Sequence, residues 1–145
     1  MSRVEKLLSD NEEQEIVQAI LEAEKNTSGE IRVHIESHTR LKHFNRAKEV
    51  FHLLKMDNTK DENGVLIYVA VNDRKFVIYG DKGIDEVVPD NFWDTTRDAI
   101  QDHFKKGNFK QGIIDGVLST GKQLENHFPW HHGDINELSD EVSKG

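Results

Sequence analysis

Acidic and amide side chains stand before and after a long apolar stretch, and another acidic residue begins an earlier apolar segment. The candidates are Asp61, Glu62, Asn63, Asp81, Asp85 and Glu30. Oxygen atoms of these side-chain types are the ligands that Ca²⁺ and Mg²⁺ prefer in proteins. A divalent cation held by them polarises a phosphoryl oxygen and activates water, which is phosphatase chemistry. The alternative is a solvated edge at which Asp81 and Asp85 only shape a turn and begin a helix.

The apolar stretch between these acidic residues predicts a β-hairpin. Residues 64–71 are apolar and β-branched on both faces, as in a buried central strand, and residues 74–79 form a second strand. The Asn-Asp pair between them suits a two-residue turn. Such a turn places Gly64 opposite Asp81 in an antiparallel register, so the loops at the two ends of the hairpin lie side by side.

A third apolar segment brings Glu30 to the same place. Residues 30–36 read as a strand, and a helical crossover makes this strand parallel to residues 64–71. Both strands then begin at the edge that holds the acidic loops. This edge is the amino end of the parallel strands, whereas ligands in α/β sheets usually bind at the carboxyl end.

Helical periodicity predicts four helices, at about residues 10–26, 43–56, 91–106 and 109–126. The expected fold is α/β: a small mixed β-sheet, with a parallel β-α-β crossover plus a central antiparallel hairpin, flanked by about four helices. In the strand 30–36, the alternation predicts that Arg32, His34 and Glu36 face solvent near a sheet edge. Three glycines in the last helix, Gly112, Gly116 and Gly121, predict close approach of a neighbouring element.

Length and composition predict one soluble domain. The chain has 145 residues, a formal net charge of -8 and no cysteine. We expect residues 1–128 to form a single α/β domain and residues 129–145 to form an acidic polar tail, either frayed or docked as a short helix. A chain without a basic patch is not expected to bind nucleic acid.

The apolar runs are shorter than the roughly 20 residues that span a bilayer, and the N-terminus lacks the apolar core of a signal peptide. We therefore expect no membrane span and a cytoplasmic location. Gly80 and Gly83 lack the lysine-serine ending of a phosphate-binding loop, and no organic cofactor is predicted.

Four motifs in order resemble the TPM domain, the module of the plant thylakoid-lumen acid phosphatase family and of many bacterial membrane-associated proteins. They are TSGEI at 27–31, NGVLI at 63–67 with the Asp-Arg turn that follows, GDKGID at 80–85, and FKKGNFKQGI at 104–113. A match to any one of these motifs has low specificity, whereas the match to all four in order is more specific. One departure is Glu62, which stands where the family usually has aspartate before Asn-Gly.

The resemblance implies a function at the acidic edge, because the family's acidic residues map onto Asp61, Glu62, Asp81 and Asp85. It is consistent with a binding or quality-control module for other proteins that holds Ca²⁺ or Mg²⁺. The alternative that it implies is a metal-dependent hydrolase of phosphomonoesters, similar to the acid phosphatases.

Other side chains offer weaker candidates. His131 and His132 suggest a transition-metal site, although no histidine pair has helical spacing with a supporting acid. Trp93 lies off the apolar stripe of its helix, so Trp93 and the face formed by Arg32, His34 and Glu36 are candidate surfaces for partner proteins.

Overall fold

The computed structural model describes residues 8–130 and 142–144. The elements of these ranges are α1 (Asp10–Glu24), β1 (Glu30–Glu36), α2 (His43–Leu53), β2 (Gly64–Ala70), β3 (Lys75–Gly80), α3 (Lys82–Asp85), α4 (Asp94–Lys105), α5 (Phe109–Glu125) and β4 (Ser143–Lys144). The strands form one sheet in the order β3-β2-β1-β4. β1 is parallel to β2 and β4, and β3 is antiparallel to β2. The α/β class, the parallel crossover and the central hairpin are confirmed. Within the two described ranges, no helix has the length and apolar character that crossing a membrane requires.

β2 is an inner strand, and all seven of its residues are buried. It pairs with β3 in the predicted register, in which Ile67 lies opposite Ile78. The Asp81 N–H donates to the Gly64 carbonyl at 2.9 Å, so the pairing continues past the end of β3. The predicted two-residue turn is wrong: the connection between β2 and β3 has four residues, 71–74, and Arg74 adopts the left-handed conformation, with a φ of 55°, rather than either residue of the Asn-Asp pair.

Successive strand residues face two helical layers, because side chains alternate across a sheet. The larger core lies under α1, α4 and α5 and includes Ile16, Ile20, Ile31, Val33, Ile67, Ile100, Ile113 and Val117. The smaller core lies under α2 and includes Ala47, Val50, Phe51, Met56, Leu66 and Tyr68. β2 contributes to both cores, and this explains why its sequence is apolar at every position.

Local interactions set the helix ends. Ser9 and Glu12 form a capping box at the start of α1, with two side chain–backbone hydrogen bonds of 3.1 and 3.2 Å. α2 ends at Leu53, three residues before the predicted end, because Lys55 adopts a φ of 57° and reverses the chain. Met56 thereby turns into the smaller core and is fully buried. α4 begins three residues later than predicted, at Asp94.

The prediction that one face of β1 is solvated is wrong, although β1 does lie next to the edge strand β4. β1 lies between β2 and β4, and His34 and Glu36 are each only 5% exposed. Arg32 is half-buried on the same face. This face is covered by α2, which packs beside it, and by the C-terminal segment of the chain, which returns to pair with β1. Strand periodicity reveals neither of these two features. The face formed by Arg32, His34 and Glu36 is therefore not an open partner surface.

Glu36 is the centre of a buried polar network. Arg46 from α2 donates to both of its carboxylate oxygens, at 2.9 and 2.8 Å, and the Tyr68 hydroxyl donates a short hydrogen bond. His34 Nε2 lies 3.1 Å from Glu36, its Nδ1 lies 3.0 Å from Ser143 Oγ, and its ring stacks on that of Tyr68. These contacts hold α2 and β4 against β1.

The network also fixes the protonation states of its members. Burial alone would raise the pKa of Glu36, but hydrogen bonds from Arg46, Tyr68 and His34 outweigh it and lower this pKa to about 2. Burial, and then the hydrogen bond to Glu36, raises the pKa of Tyr68, while burial lowers the pKa of His34. Glu36 is therefore ionised and His34 neutral at pH 7.

The C-terminal segment returns to the domain. Pro129 forms an isolated bridge with Thr27, Val142 packs against the larger core, and β4 pairs with His34 and Ile35 of β1. The short helix considered for this segment rests on Ile135 and Leu138, which lie outside the described residues.

We expect Glu36→Gln to lower the free energy of unfolding by about 2–4 kcal/mol at pH 7, because it removes the charge that Arg46 and Tyr68 are oriented to bind. The pKa of Glu36 is lowered from 4.5 to about 2, so its stabilising effect is complete above pH 4.5 and is lost as the pH falls towards 2. Urea denaturation at pH 6 and pH 3 should therefore show a smaller deficit for the variant at pH 3. Glu49→Gln removes an exposed partner of Arg46 and is the control, with an expected effect below about 1 kcal/mol. A pH-independent deficit would contradict this assignment.

We expect Gly121→Ala to destabilise the protein by about 1–3 kcal/mol, although alanine is the better helix former. A Cβ at this position of α5 would lie 2.6 Å from both the Cβ and the carbonyl oxygen of Ala23 in α1, so the two helices would have to separate. Thermal unfolding is the measurement, and Lys122→Ala, at the next and exposed position, is the control. An unchanged or higher melting temperature would show that the α1–α5 contact is not close.

Candidate metal-binding edge

The structure places the predicted acidic loops at one edge of the sheet. Glu30 pairs with Gly64 across the parallel strands, and Asp81 bonds to the carbonyl of Gly64 from the other side. The edge therefore brings together the first residue of β1, the first residue of β2 and the residue that follows β3. Asn63 immediately precedes β2 and lies at the same edge.

Asn63 ties the loop before β2 to the start of β1. It is 1% exposed, its N–H donates to Thr59 Oγ1 at 3.3 Å, and its side-chain amide donates to Ser28 Oγ at 3.2 Å. Its carbonyl accepts the Glu30 N–H at 3.3 Å, and Glu30 is itself 3% exposed. Asn63 therefore has a structural role in joining the two strands.

The backbone of Asp61 and Glu62 lies directly against α3. A Cβ on Gly83 would be 2.3 Å from the Asp61 carbonyl oxygen and 2.5 Å from that of Glu62, so only glycine fits. Glu62 has a φ of 50°, and its side chain lies 3.3 Å from Lys82 Nζ in an exposed ion pair. The Asp61 side chain is exposed. The loop before β2 thus lies next to the segment that contains Asp81, and it places the carbonyls of Asp61 and Glu62 there.

Asp81 has an unsatisfied carboxylate oxygen. It caps α3, and its Oδ1 accepts the Lys82 N–H at 2.8 Å. The residue is 8% exposed, and its Oδ2 is buried without a hydrogen-bond partner in the described part of the chain. Burial raises the pKa of Asp81, the Lys82 N–H opposes this shift, and the charges of Glu62 and Asp57 add to it.

Asp85 lies one helical turn further on, at the end of α3, and desolvation raises its pKa as well. The side chains do not converge into a cage: in ranges 8–130 and 142–144, no group of three His, Asp or Glu residues is arranged to hold a metal. The carbonyl oxygens of Asp61 and Glu62 lie against Gly83, and Asp81 stands two residues before this glycine. A cation bound there would need water for its remaining ligands.

Elsewhere, single histidines contact single carboxylates. His43 Nε2 lies 2.9 Å from Asp73 Oδ2, and His103 Nε2 lies 2.6 Å from Asp115 Oδ2. His131 and His132, the candidates for a transition-metal site, lie outside the described residues. Trp93, considered as a partner surface, is half-buried and packs edge to face on Phe92.

Comparison with known proteins agrees with this architecture. The TPM domain family model matches residues 2–123. The BA42 protein from the psychrophilic bacterium Bizionia argentinensis, solved by NMR, is 61% identical, with a TM-score of 0.93 over 100% of both chains. No curated protein matches this sequence.

Two more distant structures share the fold. The N-terminal domain of a P. gingivalis protein is 23% identical, with a TM-score of 0.69 over 87% of this chain and 83% of that one. The N-terminal domain of the cg2496 protein from Corynebacterium glutamicum is 13% identical, with a TM-score of 0.65 over 90% and 84% of the two chains. The family match covers most of the chain, and the predicted resemblance is confirmed: this chain belongs to the TPM domain family.

Proposed function

We propose that this TPM domain is a binding module that takes up a divalent cation at its acidic edge, with Asp81 as the anchoring ligand. One observation carries the proposal: Asp81 Oδ2 is buried without a hydrogen-bond partner in the described residues. A buried carboxylate oxygen that lacks a partner is costly unless a cation or a donor satisfies it. Burial and the nearby acidic side chains add to this cost in the metal-free protein.

The neighbouring donors favour Ca²⁺ over Mg²⁺. Ca²⁺ accepts six to eight oxygen ligands in irregular geometry, including backbone carbonyls and water, whereas Mg²⁺ demands a near-ideal octahedron. The carbonyls of Asp61 and Glu62 adjoin α3, and the side chains of Asp61 and Asp85 are exposed beside it. Asn63 and Glu30 are buried at the starts of their strands, so they would hold this loop in place rather than bind the cation directly.

A bound cation would also join two loops that belong to different parts of the hairpin. The loop 57–63 and the segment 81–85 meet through the close contact at Gly83. A cation between them would lower the mobility of this surface and create a defined face for a protein partner, which is the role expected of a binding or quality-control module. Cation binding and partner binding would then be two functions of one edge.

We expect millimolar Ca²⁺ to raise the melting temperature of the purified protein by roughly 3–6 °C at ten times the Kd, as a ligand that binds only the folded state does. Asp81→Asn should abolish this shift. The same variant should melt slightly higher than the wild type in chelator, because the raised pKa of Asp81 means that its ionised form destabilises the fold at pH 7.

Asp98→Asn is the matched control, since Asp98 is exposed on α4 and belongs to neither of the loops that form the edge. It should keep the full calcium shift. Melting curves that are identical with and without Ca²⁺ or Mg²⁺ would refute the cation site. A calcium shift that survives in Asp81→Asn would place the ion elsewhere.

The alternative function is hydrolysis of phosphomonoesters by the bound cation. The charges of the edge disfavour it, because Asp57, Asp61, Glu62 and Asp85 repel a phosphate dianion, and the nearby Lys82 is paired with Glu62. We expect no chelator-sensitive turnover of a generic phosphomonoester. Turnover that needs Ca²⁺ or Mg²⁺ and is lost in Asp81→Asn, but not in Asp98→Asn, would establish the phosphatase instead.

A further inference from the structure

The fold joins two loops at the carboxyl end of β1 and β2 into one surface. It consists of residues 37–44, which follow β1, and residues 71–75, which follow β2, and we call it the basic tip. Asp73 Oδ2 accepts the Thr39 N–H at 3.1 Å and lies 2.9 Å from His43 Nε2. Thr39 and Asp73 are 34 positions apart, so the sequence does not show these two segments as one patch.

The basic tip is cationic although the chain is acidic. It holds four of the chain's 19 Lys and Arg residues but only one of its 27 Asp and Glu residues. The cations are Arg40, Lys42, Arg74 and Lys75, and all four are exposed. Within residues 8–130 and 142–144, none of the four has an ion-pair partner. The one acid, Asp73, is already engaged by Thr39 and His43, so it does not offset these charges.

Two apolar side chains are exposed among these cations. Leu41 is 46% exposed and Phe44 is 58% exposed. The backbone holds Leu41 in place, because its N–H donates at 3.1 Å to the hydroxyl of Thr39, the residue that also bonds to Asp73. The Phe44 ring contacts Tyr79, with centroids 5.5 Å apart, and more than half of the residue stays in water. Clustered exposed apolar side chains mark surfaces that contact a protein or a membrane.

Backbone hydrogen bonds close the space between the two segments. The Val71 N–H donates to the Glu36 carbonyl at 2.9 Å, and the Asn72 N–H donates to the Ser37 carbonyl at 2.7 Å. These bonds occupy the place at which an open α/β sheet usually binds a small ligand. The basic tip therefore suits a broad anionic surface better than a small anion.

An anionic lipid bilayer matches both features of the basic tip. Its phosphate-bearing headgroups attract Lys and Arg, and the boundary beneath them takes up leucine and phenylalanine side chains. A nucleic-acid backbone or an acidic protein segment would match the cations but would leave the two apolar side chains in water.

We propose that the basic tip docks on anionic bilayers, with its two apolar side chains in the headgroup region and its four cations at the lipid phosphates. The chain's net charge of -8 opposes the approach to such a surface. We therefore expect weak binding in one orientation, in which the acidic edge, at the other end of the strands, is turned away from the lipid.

Co-sedimentation with vesicles tests the docking. Each Lys or Arg near an anionic surface strengthens binding about fivefold, so four of them predict half-binding at roughly 1 mM lipid. At about 2 mM lipid and about 50 mM NaCl, more than half of the protein should pellet with vesicles of phosphatidylcholine and phosphatidylglycerol at roughly 70:30, and almost none with phosphatidylcholine alone. Raising NaCl to about 500 mM should release the protein, because salt screens these charges. Chelator is present throughout, so that a cation at Asp81 cannot bridge the acidic edge to the lipid.

Two double variants separate the charges from the apolar side chains. Arg40→Glu with Lys42→Glu should weaken binding at least about 25-fold, which leaves less than about one tenth of the protein in the pellet. Leu41→Ser with Phe44→Ser should weaken it at least about fivefold, because the bilayer then gains no apolar contact. The matched controls are Lys25→Glu with Lys122→Glu, and Leu53→Ser. They change exposed residues outside the basic tip and should leave binding unchanged.

A spin-labelled lipid in bicelles of the same composition reports the orientation. It should broaden the NMR amide signals of residues 39–44 and 73–75 and leave those of residues 61–63 and 81–85 sharp. Equal pelleting on neutral vesicles, full binding by either double variant, or broadening centred on the acidic edge would overturn the proposal. Binding to polyglutamate or to duplex DNA without pelleting on anionic vesicles would also overturn it, and would assign the basic tip to an acidic protein or to nucleic acid.

Discussion

The backbone hydrogen bonds that β2 makes on both sides are the constraint on which the rest of the structure depends. They join the start of β1 and the residue after β3 to one glycine, Gly64, and so decide which loops are neighbours. A strand bonded on both sides and covered on both faces must be apolar throughout, as residues 64–70 are. A shift of one residue in this pairing would turn the core side chains of β3 to the wrong layer and move Asp81 away from the loop before β2.

Two buried carboxylates at opposite ends of this sheet show how differently the fold treats the same chemical group. Glu36 receives hydrogen bonds from three side chains, and these outweigh its burial and lower its pKa. Asp81 receives one backbone hydrogen bond at one oxygen and none from the described residues at the other, so burial prevails and its pKa is raised. The first arrangement favours the ionised carboxylate, and the second disfavours it. Burial alone therefore does not fix the direction of the pKa shift of a carboxylate, because the hydrogen bonds that the carboxylate receives can outweigh it.

Sequence patterns predicted the backbone well and the side-chain environments poorly. The hairpin register followed from one short turn and from two apolar runs, because both are local properties. The environment of β1 did not follow, because its covering elements are distant in sequence: Arg46 approaches Glu36 from α2, and Ser143 reaches His34 over 109 positions. For the same reason the sequence grouped six polar residues at the edge but did not separate Asn63, which ties the strands together, from Asp81, whose Oδ2 has no hydrogen-bond partner among the described residues.

The location of the candidate site at the amino end of the parallel strands also has a physical reason. Open α/β sheets usually bind ligands at the carboxyl end, where loops diverge and leave a crevice. Here that end is closed, because the Val71 N–H bonds to the Glu36 carbonyl and the Asn72 N–H to that of Ser37. Arg46 then anchors α2 over the same residues, and its hydrogen bonds leave the Glu36 carboxylate fully engaged. At the amino end, the glycine at position 83 allows the carbonyl oxygens of Asp61 and Glu62 to lie against α3, the helix that Asp81 caps. The usual crevice is thus filled by structural hydrogen bonds, and the Asp81 carboxylate oxygen that has no hydrogen-bond partner among the described residues lies at the opposite edge.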